Sequence, residues 1–179
     1  NSTNNISSTP SPSNPTTNPS PNLSTNSAPA TTTQPASPVN NTSSISRDAA
    51  VDVVKQWLAY KQVLMAPPYS KQLGSDLLVG KAYRDNVDKS SEPCSSSDSD
   101  DCLSSVDWLK KYNAQYSFGV QRIDTVNRFE SSGDTGTIFV TVTEYRTLHK
   151  TGGRKTSSGG TKQARYDLKY ENGKVKIAD

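Results

Sequence analysis

"TIFVTVTEYRTLH", Thr137–His149, sets the architecture of this chain. Ile138, Val140 and Val142 recur at every second residue, the period of a strand that buries one face. The phase carries on through Glu144 and Arg146 to Leu148. Upstream, Ser131-Ser132-Gly133-Asp134 reads as a turn, and before it Tyr116, Phe118 and Val120 alternate in the same way. Ile123 and Val126 then fall out of phase, which predicts a bulge or a bend. Downstream, "KTGGRKTSSGGTK" (150–162) reads as a flexible hairpin loop. Ala164, Tyr166, Leu168 and Tyr170 form a third strand, Asn172-Gly173 is a two-residue hairpin turn, and Val175 and Ile177 mark a last strand. The expectation is four antiparallel strands.

The residues before this run repeat with a different period. Ala50, Val53, Val54, Trp57, Leu58 and Leu64 recur as a helical stripe, with the stem of Lys61 on the same side. Ser46 is the expected cap, Asp48 sits in the first turn where the helix dipole favours an anion, and Pro67-Pro68 ends the helix. Tyr69–Val87 reads as one or two short helices with Leu73, Leu77, Leu78 and Tyr83 inward and Gly80 as a break. A further helix is expected over Ser105–Tyr112, with Ser105 as its cap and Val106, Leu109 and Tyr112 on its apolar side. Helices first and strands after give an α+β fold: N-terminal helices packed on a curved, cone-like antiparallel sheet of about four strands.

The charge is unevenly spread. The 179 residues carry a net +3, yet Asn1–Ser46 has no charged residue and is nearly all Ser, Thr, Asn, Pro and Ala. Such a segment buries too little apolar surface to offset its backbone entropy, so it is expected to be a disordered linker. Sequons such as Asn5-Ile6-Ser7 leave a glycosylated stalk as the alternative. Residues 47–179 are then the single folded domain. Basic residues gather from Arg146 to Lys176, in a Gly-rich loop and at alternate strand positions, the pattern of a solvated sheet face. No nucleic-acid partner is expected. The chain opens on Asn1 and has neither a membrane-length apolar run nor a signal-peptide pattern. The expectation is a piece tethered to a membrane through an upstream segment.

Catalytic signals are sparse. His149, the single histidine, borders the Gly-rich loop. One His and two Cys do not complete an ordinary zinc set, so no metal is expected. "EPCSSSDSDDCLSS" (92–105) holds both cysteines, Cys94 and Cys102. Its aspartates lack the internal Gly and distal Glu of a calcium loop. Read alone, it leaves a disulfide, free thiols, a metal site and a phosphorylation target open. No phosphate-binding glycine motif is present, and no cofactor is expected. Glu144 stands on the apolar face, where a carboxylate is costly unless paired. It is read either as a partner of a cation or a Tyr hydroxyl, or as a ligand anchor. A cone-fold enzyme using Glu144 as acid or base is the alternative function, and a spacer or self-association domain is a third.

"AAVDVVKQWLAYKQVLMAPPY", "LLVGKAY", "WLKKYNAQYSFGVQRID", "TIFVTVTEYRTLH" and "ARYDLKYENGKVKIAD" together resemble the intermembrane-space domain at the C-terminus of chloroplast-division proteins and their cyanobacterial relatives. That domain also ends some cyanobacterial membrane serine/threonine kinases. The resemblance spans residues 47–179 and rests on Trp57 and Lys61 four apart, on Glu144 in the strand, and on the Tyr-x-Leu-x-Tyr hairpin. Val175 stands where the family usually has Trp, and the cysteine loop looks like an insertion. The resemblance implies a non-catalytic domain on the extracytoplasmic side of a membrane, in a cell-division protein or a membrane kinase. In the division proteins it binds the C-terminal tail of a partner membrane protein. An oxidising compartment in turn implies a Cys94–Cys102 disulfide. The function expected is a binding module on a flexible tether. Its partner is a protein or peptide tail, or a small ligand, held between the first helix and the sheet, and a homodimer is a further expectation. Trp57, Tyr116, Phe118, Glu144, Arg146, Arg165 and Tyr166 are the candidate contacts. The aromatics offer area with a polar tip, and either Arg can receive a carboxylate.

Overall fold

A computed structural model describes residues 44–91, 93–94 and 98–179. The linker expected for Asn1–Ser46 falls outside them except at its last three residues. Of those, Ile45 is 2% exposed and belongs to the core, so packing begins before the first charged residue. The first helix, α1 (Arg47–Leu64), starts where Ser46 accepts a hydrogen bond from the Ala49 amide. Its expected stripe is buried, and Tyr60 joins it. With Ile45 just outside the cap and Ala50 a turn inside, both in the core, the entry of the chain is pinned as in a hydrophobic staple.

Two short helices follow, α2 (Gly74–Leu77) and α3 (Gly80–Asn86). Leu77 and Leu78 turn inward as expected, but Leu73 does not: it is 48% exposed. It precedes a helix of only one turn, and the two leucines behind it fill the inward positions. The fourth helix, α4 (Ser105–Lys111), is capped by Ser104 instead of the expected Ser105. The Ser104 hydroxyl accepts from the Asp107 amide and donates to the Asp107 carboxylate at 2.7 Å. Val106 and Leu109 are buried. Tyr112, expected on the same side, is exposed instead. It stands at the helix end, donates its hydroxyl to Asp100 at 2.8 Å and leans on Trp108 with ring centroids 5.0 Å apart.

The sheet is an antiparallel meander in the order β1-β2-β3-β4. Its strands are β1 (Gln115–Ser132), β2 (Thr135–His149), β3 (Lys155–Glu171) and β4 (Lys174–Ile177). The phase break seen in the sequence is three irregularities, at Phe118/Gln121, Ile123/Thr125 and Val126/Arg128. Each inserts one extra residue into β1 against β2. Tyr116, Phe118, Ile123, Val126 and Phe129 therefore all pack against the core although they are not two apart throughout. Val120, expected inward, lies in the first bulge and is 49% exposed.

One correction is larger. Most of 150–162 is strand, not loop: β3 begins at Lys155, and pairs run without a break from His149↔Lys155 to Thr135↔Lys169. The connection itself is only Lys150–Arg154. Backbone pairing does not need large side chains, and at Gly159 it excludes them. A Cβ there would lie 2.4 Å from the Glu144 carbonyl oxygen, and the positive φ of 149° suits glycine alone. At Asn172 and Gly173, φ values of 52° and 79° close the β3–β4 hairpin as the dipeptide predicts. Ile138, Val140, Val142, Leu168 and Ile177 form the sheet side of the core, and α1 supplies much of the other side. Cys94 and Cys102 form a disulfide with Cα atoms 5.5 Å apart.

Candidate functional site

Glu144 is where α1 meets the sheet. The helical stripe places Lys61 on the face that packs on β1 and β2, and the strand phase points Glu144 at it. The two form an ion pair, their side chains 12% and 7% exposed. Gln121, brought inward by the first bulge, donates its amide to the same carboxylate oxygen at 3.0 Å. The Lys61 ammonium also lies over two rings, 5.8 Å from the centroid of Trp57 and 5.7 Å from that of Phe118. Burial acts to raise the Glu144 pKa, but Lys61, through hydrogen bond and charge, and Gln121 outweigh it and hold the group below its ordinary value. Burial pulls Lys61 downward, partly countered by Glu144. Tyr166, on the same face, is pushed up to about 12 by burial and then by the Glu144 charge.

The ladder continues outward from this pair. Phe118 lies 6.1 Å from Tyr116, and the Arg146 guanidinium is 5.1 Å from the Tyr116 ring. Five of the seven expected contacts, Trp57, Tyr116, Phe118, Glu144 and Arg146, thus belong to one neighbourhood, while Tyr166 shares their face but pairs opposite Ile138, eight ladder positions from Arg146. Arg165 lies outside it as well. It pairs opposite Phe139, seven ladder positions from Arg146 and roughly 23 Å along the strand. Its guanidinium is held by Asp167 through contacts of 2.8–3.1 Å. The Glu144 carboxylate is engaged by an ammonium and an amide, the structural pairing that the sequence left open. A carboxylate held in this way is poorly placed to move a proton.

An open groove lies beside this neighbourhood. It has a volume of about 780 Å³ and runs between α1, α2 and the β3–β4 hairpin. Its apolar wall includes Tyr60, Val63, Leu73, Leu77, Tyr170 and Val175. Val63 and Leu73 are 51% and 48% exposed, large aliphatic side chains facing water across the same groove. The rim charges are already paired: Lys174 with Asp76 at 3.0 Å, and Asp52 with Lys55 at 3.8 Å. The sequence reading missed these residues as a site. Val63 carried the available signal, an aliphatic residue off the α1 stripe. Glu144 does not line this groove. Among the described residues, no group of three or more His, Cys, Asp and Glu is placed to hold a metal.

The family model described as ARC6-like, IMS domain matches residues 50–178. The crystal structure of the intermembrane space region of chloroplast protein ARC6 is similar in fold, with a TM-score of 0.55 at 14% identity. The match covers 75% of this chain and 94% of that one. No curated protein matches the chain.

Proposed function

Because the chain belongs to the ARC6-like, IMS domain family, we propose that it is a non-catalytic binding module on the extracytoplasmic side of a membrane. Its 46-residue Ser/Thr/Asn/Pro segment serves as the tether, and the protein it belongs to acts in cell division or is a membrane serine/threonine kinase. The partner is a protein tail that lays apolar side chains into the groove between α1 and the β3–β4 hairpin. The observation that carries this reading is the exposure of Val63 and Leu73 across one groove, flanked by Tyr60 and Tyr170. Large aliphatic side chains meeting in a concavity mark interaction sites on domains of this size. The paired rim favours a segment with little net charge in its middle. In this reading Lys61 and Glu144 set the seat of α1 on the sheet, and with it the width of the groove. Arg146, opposite Ser158 and outside the groove lining, takes no part in binding the tail.

The test is a titration of the isotopically labelled chain with peptides of about twelve residues. They carry apolar side chains at alternate positions and a free C-terminal carboxylate, like the tails of membrane partners. Amide shifts should concentrate on residues 49–63, 73–77 and 170–175. Leu73→Ala should weaken the best binder by about 1–2 kcal/mol. Binding whose shifts lie elsewhere, or that ignores Leu73→Ala and Val63→Ala together, refutes the groove.

A further inference from the structure

The outer face of the sheet carries a second surface, unrelated to the groove. Its rows follow from the strand register. Ser117, Thr147 and Ser157 stand abreast across β1, β2 and β3, with the Thr147 and Ser157 hydroxyls 2.9 Å apart. Four positions along β2, the buried Thr143 is joined to Thr161 through hydroxyls 2.7 Å apart. Between these rows stands Tyr145, 51% exposed.

Both lateral neighbours of Tyr145 are glycines. A Cβ on Gly119 would meet the Tyr145 Cβ at 3.6 Å, and one on Gly159 would lie 2.9 Å from the ring carbon Cδ1. The ring therefore rests against the bare backbone of β3, and no side chain from that position covers it. A concavity of about 600 Å³ opens here, lined by Tyr145, Ser117, Thr147, Ser157 and Arg146. Nearby charges on this face cancel: Arg122 is bound by Asp124 at 2.6 Å on its own strand.

An exposed aromatic ring beside a row of hydroxyls is matched to one kind of ligand. The C–H face of a pyranose stacks on a ring, and its equatorial hydroxyls donate and accept at the edges. The Ser117–Thr147–Ser157 row lies roughly 6.6 Å to one side of Tyr145, two residues along the strand. Each Ser or Thr hydroxyl can act as donor or acceptor. A neutral glycan meets these groups without a charge to be compensated. We infer that the face around Tyr145 is a carbohydrate-binding site, in which Tyr145 stacks a pyranose ring of a β-linked glycan and Ser117, Thr147 and Ser157 bind its hydroxyls.

The full chain is titrated with cellotetraose and, separately, with chitotetraose, following amide shifts. At least one sugar should give saturable shifts at residues 117–119, 145–147 and 157–159, with the two arms distinguishing glucose from N-acetylglucosamine chains. Tyr145→Ala should weaken binding roughly tenfold or more, the loss of one stacked ring, while Tyr145→Trp retains it. Thr147→Val should weaken it without changing the unfolding midpoint. No saturable shift with either sugar at about 10 mM, the weak end of specific affinity, overturns the site. So does binding that survives Tyr145→Ala, or shifts that map to the α1 groove.

Discussion

Replacing Lys61 with methionine keeps the stem of the side chain and removes its charge. Glu144 is then left 6% exposed with Gln121 as its remaining hydrogen-bond partner. Such a carboxylate can stay ionised and unpaired, or it can take up a proton. The second route sets a ceiling: holding a group of ordinary pKa 4.5 neutral at pH 7 costs about 3 kcal/mol. The variant should therefore lose about 3 kcal/mol at pH 7, in line with broken buried pairs generally. The sign reverses between the two proteins. In the parent, Glu144 titrates below its unfolded value, so its stabilisation is present above that value and fades as pH falls. In the variant, burial without the ammonium raises the folded pKa, so stability is fullest below about 4.5 and is lost as pH rises. The gap between them should shrink to about 1 kcal/mol at pH 4. Urea unfolding followed by far-ultraviolet circular dichroism at both pH values reads this directly and does not depend on Trp57, whose surroundings change. Lys61→Met combined with Glu144→Leu should return to within about 1 kcal/mol of the parent, because an apolar pair of similar volume avoids the desolvation cost. A single-variant loss below about 1 kcal/mol at pH 7, an unchanged gap at pH 4, or a double variant as weak as the single refutes the account of the pair.

Tyr166 should resist ionisation in the folded protein until about pH 12. Its raised pKa contributes stability that is complete below pH 10 and lost by about 2–3 kcal/mol as pH rises through 12. Absorbance titration of the parent against Tyr166→Phe checks it, and a tyrosine signal near pH 10 missing from Tyr166→Phe contradicts it. Reduction of Cys94–Cys102 should cost roughly 2–3 kcal/mol, the closure entropy of a short loop. Thermal unfolding with and without reductant measures it, and an unchanged midpoint shows that the loop is not coupled to the fold.

The fold was legible where one signal dominated. The α1 stripe, the β2 alternation and Asn172-Gly173 each dictate geometry through local chemistry, and all three appear as read. Legibility failed where backbone pairing did the organising. Nothing in "KTSSGG" signals a strand, since Ser, Thr and Gly are common in loops. Fifteen continuous pairs with β2 nevertheless hold β3 in place. Leu73 and Tyr112 failed for another reason: both flank short helices, where one residue of drift turns a side chain from core to water. For the site, the placement of Glu144 followed from its phase, and Lys61 from its position on the stripe. Gln121 did not, because its inward position depends on an extra residue whose location only the β1–β2 register reveals. Arg146 and Arg165 look equivalent in sequence, yet they stand at opposite ends of the ribbon and on opposite faces.

The three extra residues in β1 also decide how the sheet meets its own kind. β1 is an edge strand of 18 residues, long enough to recruit a neighbouring chain by backbone pairing. A regular ladder needs donors and acceptors at even intervals, and the bulges interrupt that spacing three times. At the opposite edge, β4 has four residues, and Leu78 bridges to Ile177 alongside it. β4 covers only Leu168–Glu171 of β3, so among the described residues the regular row of Lys155–Arg165 has no strand partner on that side. Sheet extension is thus discouraged along β1 and left open along the first part of β3, so a pairing of two chains strand to strand has one edge to use.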